Sequence, residues 1–250
     1  MNLLRTIHCF AYMYGYMLGH LSILHKAEKA LASGDLATVD AITSVHVPHW
    51  CAGILKRAGV TMEITGQENI PAGRACVFVS NHRSYADIPV MLLCLDGPHG
   101  LLAKAEIDKL PLIRRWMRLI GCVFVDRSDV HASMRALNTA TETVAAGRSF
   151  TIFPEGTRCK GEEGDIGEFK GGAFRIATKC GAPLVPVVLL NTRHVFEGSG
   201  NRLTPTHVIV KILPVIETAG LDRAAQKALP QTVQAEIGRE VKALAAKANA

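Results

Sequence analysis

Aromatic side chains make up only 6% of the 250 residues, and no Lys- or Arg-rich tract occurs. Nucleic-acid recognition needs stacking rings or a concentrated basic face, so nucleic acid is not expected as a partner. Several catalytic and nucleotide signatures are also missing. Without G-x-S-x-G there is no serine elbow, and without G-x-x-x-x-G-K-[ST] or G-x-G-x-x-G no phosphate loop of those types. Without H-E-x-x-H there is no zincin pair. The cysteines (Cys9, Cys51, Cys76, Cys94, Cys122, Cys159 and Cys180) are odd in number and scattered. That pattern fits reduced thiols in a reducing compartment, and speaks against a disulfide framework or a zinc site.

What is present points elsewhere. Hydrophobic residues reach 48%, the formal charge is +6, and the mean hydropathy is positive. A rich apolar content with a moderate basic excess suits contact with a membrane, anionic substrates or an anionic lipid surface. The length allows one large α/β domain with an appendage.

Between Ile7 and Leu24 there is no Asp, Glu, Lys or Arg. Such a run is at the lower limit for a spanning helix. Arg5 before it and Lys26 and Lys29 after it give no orientation by charge. Ile7, Phe10, Tyr14, Met17, Leu18 and Leu21 recur at helical spacing. The run reads as an interfacial or re-entrant helix, with a spanning helix and a domain-packed helix as open alternatives. Ala30-Leu31-Ala32 imitates a signal-peptide cleavage site, but Lys26, Glu28 and Lys29 separate it from the apolar run. Ser33-Gly34-Asp35 makes a break. A helical stretch interrupted at Pro48 follows, with Trp50, Ile54 and Leu55 on one face. His46 and His49 have metal-pair spacing but no further ligand close in sequence. Residues 1–58 are therefore assigned as membrane-associating helices, and 59–250 as one α/β domain.

From Val60 onward, strand and helix patterns alternate. Strands are expected over 60–65, 75–80, 101–103, 122–125, 149–153, 184–190 and 207–213. Helices are expected over 110–120, 131–146 and 171–179, with one or two broken at Pro230 within 222–249. This predicts a single α/β domain with a mixed, largely parallel sheet flanked by helices.

The most informative stretch is Val79 to Asp87. An apolar strand stops at Asn81-His82, and Asp87 follows five residues later. Residues five apart on a helix are about 140° apart, so His82 meets Asp87 only from a turn before the helix. Pro89 agrees, because proline is accepted in a helix's first turn. His82 then reads as a general base and Asp87 as the group that orients it, against a loop histidine and a capping aspartate. Three further strand ends carry polar groups: Lys104, Asp126-Arg127 and Glu155-Gly156-Thr157-Arg158. In a parallel sheet these ends share one edge. Lys104, Arg127 and Arg158 would form a phosphate cradle there, with Gly156 allowing close backbone approach. Cys94 and Cys122, as alternative nucleophiles, lie in apolar runs where thiols are inert. The pattern favours His82 activating an external nucleophile such as a substrate hydroxyl.

Asn81-His82-x-x-x-x-Asp87, Gly121 to Arg127, Phe153 to Arg158 and Val185-Pro186-Val187 resemble the four ordered blocks of the glycerolipid acyltransferases, and in particular the 1-acylglycerol-3-phosphate acyltransferases. Lys170-x-Gly172-Ala173 also fits. The resemblance covers about residues 50 to 215. It implies transfer of a fatty acyl group from acyl-CoA or acyl-carrier protein to the 2-hydroxyl of lysophosphatidate, giving phosphatidate at the cytoplasmic face of a membrane. His82 would be the base and Asp87 its orienter. Arg127, Glu155, Gly156, Thr157 and Arg158 would bind the acceptor, assisted by Lys104, and the fourth block would shape a pocket. No metal or bound cofactor is implied. Other acceptors (lyso-ornithine lipid, another lysophospholipid, glycerol 3-phosphate) would use the same pair. A thioester hydrolase would use water instead, and a lipid-binding protein with a relic site would use neither.

Overall fold

The computed structural model describes residues 2–95, 97–126 and 129–248. Three helices come first: α1 (Asn2–Gly19), α2 (Leu21–Ala32) and α3 (Leu36–Ala58). The apolar run from Ile7 to Leu24 is therefore cut at His20. That residue's Nδ1 lies 2.8 Å from the Tyr16 carbonyl oxygen, so its side chain serves a backbone group at the helix end. Among the described residues no helix is long and apolar enough to cross a membrane. Asp35 caps α3 by accepting from the Thr38 N–H. Pro48 does not interrupt this helix. Val39, Thr43, Val47, Cys51 and Leu55, each four residues on from the last, are all buried. Packing of that stripe outweighs the one backbone bond that proline removes.

Among the described residues seven strands follow: β1 (Val60–Thr65), β2 (Val77–Ser80), β3 (Gly100–Lys104), β4 (Val123–Val125), β5 (Phe150–Ile152), β6 (Leu184–Leu190) and β7 (Thr206–Ile212). They form one sheet in the order β1-β7-β6-β2-β5-β3-β4. From β6 to β4 all pairings are parallel. β7 runs antiparallel to β6, and β1 runs parallel to β7. The sheet is mixed and largely parallel, as the alternation of patterns predicts. The connecting helices are α4 (Asp87–Cys94), α5 (Pro111–Leu119), α6 (Val130–Ala145), α7 (Gly171–Cys180), the single turn α8 (Thr192–Val195) and α9 (Arg223–Ala248). α9 is one helix rather than two, because Pro230 is buried and packs over Gly171.

The central strands are buried on both faces, as parallel strands should be. Val77, Val79, Phe150, Ile152 and Val188 face α6, α7 and α9. Phe78, Val185, Val187 and Leu189 face the other way, with Leu55, Val90 and Met91. A third apolar cluster joins Met17, Leu24, Val39 and Cys51 to Leu92, Trp116 and Leu119. The N-terminal helices therefore share a core with the sheet, through α4 and α5.

Candidate active site

β2 ends where a side chain replaces the backbone in sheet pairing. Asn81 Oδ1 accepts from the Leu189 N–H at 2.9 Å, and Asn81 Nδ2 donates to the Leu189 carbonyl at 2.8 Å. This holds the end of β2 against β6 while the backbone leaves the sheet. The next five residues form a turn whose N–H groups are all taken by side-chain oxygens. His82 N donates to Glu155 Oε1 at 2.7 Å. Arg83 N and Ser84 N donate to Asp87 Oδ2 at 2.7 and 2.8 Å. Tyr85 N donates to Glu197 Oε1 at 2.8 Å, and Ala86 N to Ser84 Oγ at 3.0 Å. α4 begins at Asp87 with Pro89 in its first turn.

Into this turn the structure sets the pair predicted from the spacing. His82 Nδ1 lies 2.7 Å from Asp87 Oδ2. The Asp87 side chain is 0% exposed and that of His82 14%. A carboxylate offers Nδ1 only lone pairs, so Nδ1 carries hydrogen and Nε2 presents its own lone pair. The imidazole stacks on Phe153, with ring centroids 4.2 Å apart, and the His82 carbonyl accepts from Cys159 N at 2.8 Å. The ring is thus held by Asp87 and Phe153, and the backbone that carries it by Cys159. The thiols offered as alternative nucleophiles are packing groups. Cys94 and Cys122 are buried, and burial pushes each thiol up to about 12.

The third block follows β5, the neighbour of β2. Glu155 is 4% exposed. One oxygen holds the His82 N–H and the other accepts from Gly167 N at 2.7 Å. Burial pushes its carboxyl above the usual range, and these two backbone donors oppose that. One oxygen thus fixes the turn and the other the loop beyond the third block. Gly156 has φ +68°, a backbone conformation that favours glycine. Thr157 is exposed. The Arg158 guanidinium lies 3.9 Å over the Tyr85 ring and pairs with Glu197.

Of the remaining predicted cations, Lys104 lies further out. Lys104 ends β3, two strands from β2 and so about 10 Å away across the sheet. It is 62% exposed and paired with Glu106 at 2.6 Å. Arg127 lies outside the described residues. The fourth block, Val185 to Val187, is fully buried in the middle of β6 and supplies core and register. His46 Nδ1 meets Tyr16 Oη at 3.0 Å. Among the described residues no group of three or more His, Cys, Asp and Glu could hold a metal ion.

Two residues at the site carry no readable signal in the sequence. Arg83, 3% exposed, donates to the carbonyls of Gly161, Glu162 and Asp165 at 2.8 to 2.9 Å, fixing the loop after the third block to the turn. Glu197, from the segment after β6, accepts from Ser84 Oγ at 2.6 Å as well as from Tyr85 N and Arg158. Arg83 acts on backbone atoms, and Glu197 on partners distant in sequence, so neither makes a local pattern.

Fold and site together define a class: an α/β protein with an ordered histidine–aspartate pair at the carboxyl edge of its sheet, beside an arginine paired with a glutamate. The family model described as Acyltransferase matches residues 61–190, just over half of the chain. The chain belongs to that acyltransferase family. A relative named 1-acyl-sn-glycerol-3-phosphate acyltransferase BAT2, chloroplastic, from Brassica napus is 41% identical over 131 residues, covering 52% of this chain and 37% of the relative. This chain thus matches little more than a third of that relative's length. A 1-acyl-sn-glycerol-3-phosphate acyltransferase from Borreliella burgdorferi is 28% identical over 187 residues, covering 75% of this chain and 74% of the relative. The crystal structure of the 1-acyl-sn-glycerophosphate (LPA) acyltransferase PlsC from Thermotoga maritima superposes with a TM-score of 0.77 at 27% identity, over 98% of both chains.

Proposed function

We propose that this protein transfers a fatty acyl group from a thioester, acyl-CoA or acyl-carrier protein, to the 2-hydroxyl of 1-acylglycerol 3-phosphate, giving phosphatidate. The observation that carries this reading is the His82–Asp87 pair lying beside Arg158, in a chain whose relatives bear that activity in their names. His82 Nε2 takes the hydroxyl proton as the oxygen attacks the thioester carbonyl. The tetrahedral oxyanion collapses, the carbon–sulfur bond breaks, and the imidazolium returns the proton to the departing thiolate. Asp87 holds the ring and stabilises its charge. Arg158 meets the acceptor phosphate, with Gly156 and Thr157 alongside and Lys104 further out on the same edge; Arg127, from the second block, is assigned to assist by the resemblance of that block alone. Glu155 positions the turn.

The acceptor is a lipid, and α1 offers a surface for its membrane. Leu3, Leu4, Ile7, Phe10, Tyr14 and Leu18 are all exposed on this helix, while Cys9 and Met17 face inward. An exposed apolar face on a helix packed to its own domain suits peripheral seating at the cytoplasmic leaflet. An apolar cavity of about 100 Å³, lined by Tyr16, Val47, Trp50, Leu92 and Trp116, suits hydrocarbon. The test uses purified protein with lysophosphatidate and either donor, comparing wild type and His82→Ala with lipid products resolved. Phosphatidate from wild type alone supports the reading. Free fatty acid without acylated lipid would make the protein a hydrolase, and equal phosphatidate from both proteins would remove His82 from the mechanism.

A further inference from the structure

Three carboxylates grip the turn that carries His82, and one differs from the others. Asp87 and Glu155 are buried at 0% and 4% exposure, and hold backbone N–H groups. The Glu197 side chain is 18% exposed, and its partner Arg158 is 34% exposed, so this corner opens to solvent. The donors on Glu197 are a serine hydroxyl, a backbone N–H two residues before α4, and a guanidinium. A hydroxyl, a main-chain N–H and an arginine fork are the donors that phosphate oxygens seek. Glu197 stands between Asn191 and Asn201, the two non-glycine residues with positive φ among those described. These bracket the excursion between β6 and β7 that carries the carboxylate to the turn.

We propose that Glu197 is a built-in competitor of the acceptor: its carboxylate fills the seat of the substrate's phosphate and leaves when a phosphate monoester arrives. The inference rests on the acyl-transfer reading and adds a specificity device to it. Ser84 Oγ and Tyr85 N each have one hydrogen to give and cannot serve two anions at once, and a phosphate placed against Glu197 on Arg158 would meet like charge. A headgroup therefore enters only if it binds these donors better than a carboxylate does. A phosphate monoester, with more charge and three terminal oxygens, meets that condition. A zwitterionic or uncharged headgroup does not. Glu197 would thus favour phosphate-ended acceptors over other lysolipids without touching the reacting hydroxyl.

Binding of inorganic phosphate, measured by calorimetry on wild type, Glu197→Gln and Arg158→Ala, tests this apart from turnover. The expected result is phosphate binding about tenfold tighter in Glu197→Gln, the scale of removing one charged hydrogen-bond competitor, and loss of binding in Arg158→Ala. The KM for lysophosphatidate should fall with the phosphate Kd. Glu197→Asp, whose shorter side chain cannot reach all three donors, should shift both the same way and guards against a misfolded glutamine variant. Weaker phosphate binding and a raised KM in Glu197→Gln would overturn the proposal and make Glu197 a positioning residue for Arg158. Unchanged binding would also overturn it, by putting the phosphate elsewhere. If wild type binds phosphate as expected but makes no phosphatidate, the acyl-transfer reading fails and the competitor stands.

Discussion

Two histidines sit at opposite edges of the same sheet, and their surroundings divide them. His82 follows β2 at the carboxyl edge. It has a carboxylate at 2.7 Å on one nitrogen and keeps a partly open side chain. His99 precedes β3 at the amino edge and is fully buried. Its Nδ1 meets Thr151 Oγ1 at 2.8 Å and its Nε2 the Met91 carbonyl at 3.3 Å. Both rings lie beside a phenylalanine, Phe153 for His82 and Phe78 for His99. The first ring has an anion to balance a proton gained at Nε2. The second has two neutral partners and is shut off from solvent, and burial pulls its pKa down to about 4. Position relative to the sheet's carboxyl edge, not residue type, equips one for the base role proposed for it and leaves the other a strut.

The largest effect that separates them is on rate. His82→Ala should lower phosphatidate formation about 10³-fold, the scale of a lost general base, with little change in melting temperature. His99→Ala should do the reverse, lowering the melting temperature clearly and activity modestly. Rate assays and thermal melts on both variants check the pair of outcomes. An unstable His82→Ala with an undiminished rate would erase the distinction.

Asp87→Asn sharpens it next. Asp87 Oδ2 also accepts from Arg83 N and Ser84 N. Those two donors demand an oxygen there, so the amide oxygen of asparagine takes that place and still accepts from Nδ1. The tautomer is kept and only the charge that stabilises the imidazolium is lost. A fall in kcat of about 10² is expected, less than for His82→Ala. Equal losses in the two variants would mean that the amide had turned and fixed the wrong tautomer.

The same contrast shows what the sequence made legible. Asn81-His82 at a strand end, Asp87 five residues on and Pro89 in the first helical turn are local facts, and local geometry follows from them. Strand alternation gave the sheet class for the same reason. Tertiary packing was not readable in that way. Pro48 and Pro230 look like helix breaks, but both lie in helices whose buried stripes hold them together. The apolar run at Ile7 looks continuous, but turns at His20. Glu197 acts across 113 residues to reach Ser84, and no pattern of period 2 or 3.6 encodes such a partner. That Lys104 and the Arg158 loop share one edge of the sheet followed from parallel topology. Their distances depend on strand order, which places β5 rather than β3 beside β2.

A smaller effect is expected in stability against pH. The His99 value is about 4 in the folded chain and about 6.5 when unfolded. Between these values the unfolded chain binds a proton that the folded chain does not. His99's share of stability is therefore complete above about pH 6.5 and is lost as pH falls toward 4, by about 3 kcal/mol at most. Denaturant melts of wild type should lose stability across that window. His99→Gln should be less stable at neutral pH but flatter through it. An equal slope in both would assign the acid sensitivity to other groups.

The smallest effect should come from the outer part of the site. Lys104 ends β3 and Arg158 lies in the loop after β5, both at the carboxyl edge, but Arg158 lies over Tyr85 beside the His82 turn, and Lys104 is in an exposed ion pair with Glu106 two strands away. At that exposure a cation is screened and its pair with a carboxylate contributes little. Lys104→Ala should therefore raise the KM for lysophosphatidate only about threefold, and less at high salt, whereas Arg158→Ala should raise it at least tenfold. Kinetics at two ionic strengths measure the difference. If Lys104→Ala costs as much as Arg158→Ala at both, then Lys104 leaves Glu106 and swings inward when the acceptor binds, because a side chain left in its present pair is too far from the turn and too well screened to matter that much.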